Sequence, residues 1–390
     1  IAVEDADVGL VPPHPIARAV AARQALEQIT DMILAAKRPL VMIGAAGNRP
    51  HLVEPLSRFV VGLGIPFFNT QMGKGAVTGG SDLYLGTAAL SERDYVHDAI
   101  ERADLIVSIG HDTVEKPPFL MGQVAGGPTV IHVGYASANV EQVFHPDAEL
   151  VGDIGTSVLA LAERLEGRLT RDPLILSIRE RILAHVGEGS DAPQFPVTPQ
   201  RLVHDVRAAM PQDGIVCLDN GMYKIWFARG YRTHVANTLL LDNALATMGA
   251  GLPSAIAAKL VHPERHVLAV CGDGGFMMNS QELETAVRLK LNLVVLIVED
   301  HAYGMIRWKQ AVDHFADFGM TFGNPDFVAY AAAYGATGHR ISATDELVPA
   351  IEAACAAGGV HVIVVPIDYS ENTRVLVDEL GGRVPDLDPS

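Results

Sequence analysis

Apolar residues along positions 17–169 alternate between helical spacing and short unbroken runs. Positions 21–36 carry apolar residues at three- and four-residue intervals and predict a helix. Lys37-Arg38-Pro39 is a turn that opens into the apolar run Leu40–Gly44, a buried strand. A helical stretch over 51–63 precedes a strand over 65–69, and 103–110 and 129–134 are two more strands that stop at glycine. From 170 to 199 the pattern turns polar and helical, then rich in Gly, Ser, Asp and Pro, which marks a connection between domains. Beyond it, strands are predicted at 214–218, 238–241, 266–271, 293–298 and 361–366. Strands alternating with helices predict an α/β protein of two doubly wound parallel sheets. The expected units are a Rossmann-like domain over 1–169, a linker over 170–199, and a second domain with its tail over 200–390.

The second domain carries the chemistry. An apolar strand ends in Gly272-Asp273-Gly274, followed by Gly275, and a second apolar strand ends in Asp300 after the 25 residues 275–299. In a βαβ unit both strand ends lie on one edge of the sheet, where open α/β folds bind ligands. Glycines allow close approach of a phosphate, and two neighbouring carboxylates suit one hard divalent cation such as Mg²⁺. The simpler reading, a turn residue and a strand-end cap, is outweighed by the pairing at this spacing. A helix is predicted over 280–290 with Asn279 as its N-cap and Glu282 completing a capping box. Leu283, Ala286 and Val287 would face the sheet, and Met277 and Met278 are expected in the core.

Composition narrows the field. A chain of 390 residues, 49% of them hydrophobic, can bury large cores, yet no window approaches the ~18–20 uninterrupted apolar residues of a membrane span. A net charge of −17 with no basic block argues against nucleic acid as a partner. Cys217, Cys271 and Cys355 lie far apart in apolar settings, as free thiols do in a reducing compartment, and a cytoplasmic location is expected.

These motifs resemble those of thiamine-diphosphate-dependent enzymes, specifically the large subunits of the acetolactate synthase group. The resemblance rests on Gly272-Asp273-Gly274, the 25-residue spacer and Asp300 before His301-Ala302-Tyr303-Gly304-Met305. It extends to Asp242–Ala255, to Asn220-Gly221-Met222-Tyr223 and, upstream, to 103–119 and 131–154. The family motif usually ends in Asn-Asn, where this chain has Glu299-Asp300. The resemblance implies thiamine diphosphate and Mg²⁺ as cofactors, with Asp273, Asp300 and the Ala302 carbonyl as metal ligands. Gly221, Met222, Tyr223, Gly272–Gly275 and Ala302–Met305 would surround the diphosphate. Met248 would wedge the cofactor into a bent shape, and the Ala246 carbonyl would accept from its 4′-amino group. His301 and Tyr303 are candidates to face the reacting centre, and Met305 and Trp308 to shape the substrate pocket. His111 and Lys116 lie where relatives that hold FAD contact it. FAD fits the fold, but nothing in the sequence supports it.

The implied reaction is decarboxylation of pyruvate or another 2-oxo acid followed by addition to a second carbonyl. A simple 2-oxo acid decarboxylase, another carboligase, or a non-catalytic binding or oligomerisation module are the alternatives. Family members also carry an N-terminal pyrimidine-binding domain and form homodimers or tetramers. The chain opens at Ile1 with linker-like residues, so that domain is expected upstream or on a partner chain.

Overall fold

The computed structural model describes residues 18–90, 94–112, 115, 127–139, 145–170 and 172–378. Lys116, one of the two residues proposed to touch a nucleotide, lies outside them.

Two six-stranded sheets, parallel throughout, form the frame. The first contains β1 (Pro39–Ile43), β2 (Phe67–Thr70), β3 (Tyr84–Ala88), β4 (Leu105–Ile109), β5 (Thr129–Gly134) and β6 (Ala148–Val151). Its order, β3-β2-β1-β4-β5-β6, is that of a doubly wound nucleotide-type fold. The second contains β7 (Ile215–Leu218), β8 (Leu239–Leu240), β9 (Val267–Gly272), β10 (Leu293–Glu299), β11 (Thr337–Arg340) and β12 (Val360–Pro366), in the order β11-β12-β10-β9-β7-β8. The α/β class expected from the sequence is the observed one.

Burial on both faces explains why the central strands read as continuous apolar runs. All seven residues of β10 and all five of β1 and β4 are buried. The strands absent from the sequence reading, β3, β6 and β11, are all sheet edges. β11 is Thr-Gly-His-Arg, mostly exposed, and carries no apolar pattern to find. The helix expected over 51–63 is three short pieces, with a 3₁₀ turn at Pro50–Leu52, an α turn at Val53–Ser57 and a π-type turn at Arg58–Gly62.

Within the connecting segment, Leu174–Ser177 and Arg179–Gly187 are helical. Ile175, Ile178 and Ile182 pack against the first sheet beside Leu40, Met42 and Phe68. The two sheets are tied together by buried polar contacts. Arg229 forks onto Asp94 at 2.9 and 3.0 Å, with both side chains 3% exposed. Lys74 donates to Thr87 Oγ1 at 2.7 Å and across to the Ala228 carbonyl at 2.8 Å. Among the described residues no helix is long and apolar enough to cross a membrane.

Candidate functional site

In the second sheet the chain winds from β7 to β8 on one side and returns to β9 on the other. Such a reversal opens a crevice at the carboxyl ends of the flanking strands. β7 delivers Asp219-Asn220-Gly221 there, β9 delivers Gly272-Asp273-Gly274, and the neighbouring β10 delivers Asp300. A narrow slot is lined by these last two segments, by Gly221–Tyr223 and by Ala302–Met305.

Asp273 is 1% exposed and held on all sides. Its Oδ2 accepts from the amides of His301 at 2.7 Å and Asp300 at 3.2 Å, and from Asn324 Nδ2 at 2.8 Å. Its Oδ1 accepts from Gly274 N at 2.8 Å. The loop carrying Asp300 is therefore pinned to the loop carrying Asp273. Asp300 itself has only a long bond, 3.3 Å from Ala302 N to Oδ1, and Oδ2 accepts none among the described residues. Burial, reinforced by the charge of Asp273, pushes its carboxyl up to about 7. Two crowded acids, one lacking donors, form a site that a divalent cation would relieve. No backbone N–H among the described residues donates to the Ala302 carbonyl, which leaves it available as a third oxygen. Close approach is built in: a Cβ at Gly304 would fall 2.7 Å from Asp300 Oδ2, and one at Gly274 2.9 Å from the Tyr303 ring. Among the described residues no cluster of three or more His, Cys, Asp or Glu could hold a metal. A cation here would thus complete its shell with ligand oxygens and water, as Mg²⁺ at a phosphate does.

Opposite the acids, Tyr223 is buried and its hydroxyl accepts from Gly272 N at 2.8 Å. Burial raises that phenol well above its usual range, so it stays neutral. Asn220 Nδ2 donates to the Thr247 carbonyl at 2.8 Å, and Lys224 Nζ donates to Asn220 Oδ1 at 2.6 Å and to the Asp242 carbonyl. These bonds fix the loop 242–248 against the loop 219–221. Asp219, fully buried, accepts from Gly249 N at 2.8 Å and Ala250 N at 3.3 Å, which anchors the segment just past Met248. Ala246 has φ 49°, a left-handed conformation that an alanine adopts at a cost of about 1–2 kcal/mol and that turns its peptide away from the helical course. A cavity of about 720 Å³ continues from the slot, bounded by Ala246 and Met248 on one side and by Gln71, Ala89 and Leu90 of the first domain on another.

The central domain of thiamine pyrophosphate enzymes matches residues 26–161, and the C-terminal TPP-binding domain of the same enzymes matches residues 219–365. The chain belongs to the thiamine pyrophosphate enzymes. Acetolactate synthase of Bacillus subtilis (strain 168) is 33% identical over 366 residues, which cover 92% of this chain and 64% of that protein. The catabolic acetolactate synthase of Raoultella terrigena is 33% identical over 357 residues, 90% of this chain and 64% of that protein. The large subunit of acetolactate synthase isozyme 2 from Escherichia coli (strain K12) is 27% identical over 359 residues, with 64% of its length covered. This chain thus spans less than two thirds of the length of these relatives.

Every residue that the sequence motifs assign to the surroundings of the diphosphate borders the slot, as does Met248. That set is Gly221, Met222, Tyr223, Met248, Gly272–Gly275 and Ala302–Met305, with Asp300 among them. Ala246 opens onto the larger chamber, as do Met305 and Trp308. Several expectations are corrected. Met277 and Met278 are 40% and 47% exposed, not core, because the turn that carries them leaves the sheet. The helix starts at Glu282, and Asn279 does not cap it; its side chain donates to the Gly249 carbonyl at 2.7 Å instead. His301 stands outside both cavities with its side chain 57% exposed, whereas Tyr303 lines the slot against Phe322.

Glu299 points away from Asp300, since neighbours on a strand face opposite sides. It pairs with Arg340 at 2.7 and 2.8 Å; burial opposes its charge, but the guanidinium wins and holds the carboxyl below its usual value. Asp219, Lys224, Asn324 and Tyr369, which lines the slot beside Asp300, escaped the sequence reading. Asp219 had a signal, being a third acid at the end of an apolar strand. Asn324, 51 residues beyond Asp273, had none.

Proposed function

We propose that this chain binds thiamine diphosphate through Mg²⁺ and forms the diphosphate-binding part of an enzyme that condenses pyruvate in the manner of an acetolactate synthase. The observation that carries this reading is the pair Asp273 and Asp300 at adjacent strand ends, interlocked by backbone bonds, with Asp300 Oδ2 accepting no hydrogen bond among the described residues. Asp273, Asp300 and the Ala302 carbonyl would hold the metal, and Gly272–Gly275 with Gly221–Tyr223 would cradle the diphosphate. Ala246, through its carbonyl, and Met248, an apolar and shape-adaptable wedge, would orient the aminopyrimidine ring. When bound, the cofactor supplies the nucleophilic carbon and the electron sink for decarboxylation. The protein's part is to fix the ring against the diphosphate through Lys224, Asn220 and Asp219, and to keep the chamber largely apolar.

Pyruvate as substrate and assembly into dimers or tetramers are supported by the likeness to acetolactate synthases. The three free cysteines, two of them buried, suit a cytoplasmic setting. A simple 2-oxo acid decarboxylase is the second reading, since the same cradle serves both. Full-length protein supplied with thiamine diphosphate, Mg²⁺ and pyruvate should yield acetolactate. Acetaldehyde as the sole product would favour the decarboxylase, and cofactor binding indifferent to Mg²⁺ would overturn the proposal.

A further inference from the structure

The chamber beside the slot has a lopsided charge. Among the described residues that line it none is a carboxylate, in a chain whose net charge is −17. Two are lysines, Lys224 and Lys309. Lys224 is spent: its ammonium donates to Asn220 Oδ1 at 2.6 Å, to Asn243 Oδ1 at 3.2 Å and to the Asp242 carbonyl, three acceptors for three protons. Lys309 is not. Among the described residues its ammonium has no ion pair and no hydrogen bond, and it lies 5.0 Å from the centre of the Trp308 ring. The neighbouring cation on this helix, Arg307, is already taken by Asp317 at 2.8 Å.

Helical geometry puts Lys309 on the correct side. On the helix Gly304–Val312, the chamber is lined by Met305, Trp308, Lys309 and Val312, with Ile306 at the edge of that row. Their spacing of three, four and seven residues defines one face. Lys309 is therefore a cation on an otherwise apolar face, steadied over an aromatic ring. Trp308 adds an unused donor, because its Nε1–H is buried with no acceptor.

We propose that Lys309, assisted by the indole N–H of Trp308, recognises the carboxylate of the 2-oxo acid in this chamber and makes the enzyme select anionic over neutral carbonyl compounds. This rests on the thiamine-diphosphate reading above and names the residue by which that site knows its substrate. An exposed ammonium on the wall of a cavity with no carboxylate among its described lining residues attracts an anion and then donates to it, and a charge-assisted bond of this kind is stronger than a neutral one. Methionine in the same place would keep the packing on Trp308 and lose the charge.

The test compares pyruvate with methyl pyruvate, which has the same keto group and no carboxylate. In the full-length protein loaded with thiamine diphosphate and Mg²⁺, Lys309→Met should raise the KM for pyruvate on the order of 10- to 100-fold. It should change kcat only slightly and leave the inhibition constant of methyl pyruvate within about twofold. Lys309→Arg, which keeps the charge, should recover most of the loss, and Trp308→Phe should raise the pyruvate KM on the order of fivefold. Mg²⁺-dependent cofactor affinity, measured by calorimetry on the same variants, should not move. Equal effects on pyruvate and methyl pyruvate, or none on either, would sink the role of the lysine alone. Wild-type protein that binds the cofactor but turns over no 2-oxo acid would bring down the functional reading beneath it.

Discussion

Gly304→Ala isolates the second carboxylate without touching it. The methyl group would enter 2.7 Å from Asp300 Oδ2, while its next neighbour, Met222 Cβ, stands at an ordinary 3.6 Å. Ordinary contact begins at 3.4 Å, so the oxygen must retreat by about 0.7 Å. Backbone does not stand in the way, and Gly304 lies outside the left-handed region, so the helix accepts alanine. Alanine in a helix gains up to about 1 kcal/mol over glycine, which offsets much of the cost of turning the carboxylate. Stability should therefore stay within about 1 kcal/mol of wild type. Metal geometry is far less tolerant, since bonds to Mg²⁺ of ~2.0–2.1 Å hold within about 0.2 Å. A displacement three times that margin should weaken Mg²⁺-supported binding of thiamine diphosphate on the order of 100-fold, about 2.7 kcal/mol. Calcium, with bonds of ~2.3–2.6 Å and looser geometry, should lose less. The assay is calorimetric titration of the cofactor across a range of Mg²⁺ and of Ca²⁺ concentrations, with thermal unfolding as the check on the fold. An unchanged Mg²⁺ dependence in a folded variant would refute the assignment of Asp300 as a ligand.

Other outcomes follow from the same geometry. Asp273→Ala removes a ligand and the acceptor of four hydrogen bonds, so Mg²⁺-dependent cofactor affinity should fall more steeply than in Gly304→Ala; calorimetry giving wild-type affinity would remove the metal role. Arg229→Met strands the buried Asp94 carboxylate and should cost about 3–5 kcal/mol in urea unfolding, with much of it recovered by adding Asp94→Asn. Burial, and secondarily the charge of Arg232, pushes Lys74 down to about 7, so the native state releases that proton before the unfolded chain does. Wild-type stability should accordingly decline as pH falls from about 10.5 to about 7, by at most roughly 5 kcal/mol, and level off below. Lys74→Met should flatten that stretch, and parallel profiles for the two proteins would show that the ammonium is not the cause.

Much of this protein was legible along the chain. Strands buried on both faces have to be apolar throughout, so β1, β4, β5, β7, β9, β10 and β12 announce themselves, and alternation with helices fixes a parallel sheet. Gly272-Asp273-Gly274 and Asp300 were readable because strand ends in a βαβ unit share an edge whatever the rest of the fold does. Edge strands β6 and β11 were not, since each is only partly buried and needs little apolar surface, and in β3, buried throughout, Gly86 and Thr87 interrupt the apolar run. Tertiary structure alone decided the remainder. Glu299 and Asp300 are neighbours in sequence, yet the pleat sends one to Arg340 and the other to the slot. Asn324 reaches Asp273 only because a distant loop folds back, and Met277 and Met278 are exposed because their turn leaves the sheet. The chamber has walls from both domains, and its two cations with no acid among the described lining residues come together only once Gln71, Lys224 and Lys309 are brought together in space. Local patterns determine which face of an element is buried; which charges end up sharing one cavity depends on contacts between residues far apart in the chain.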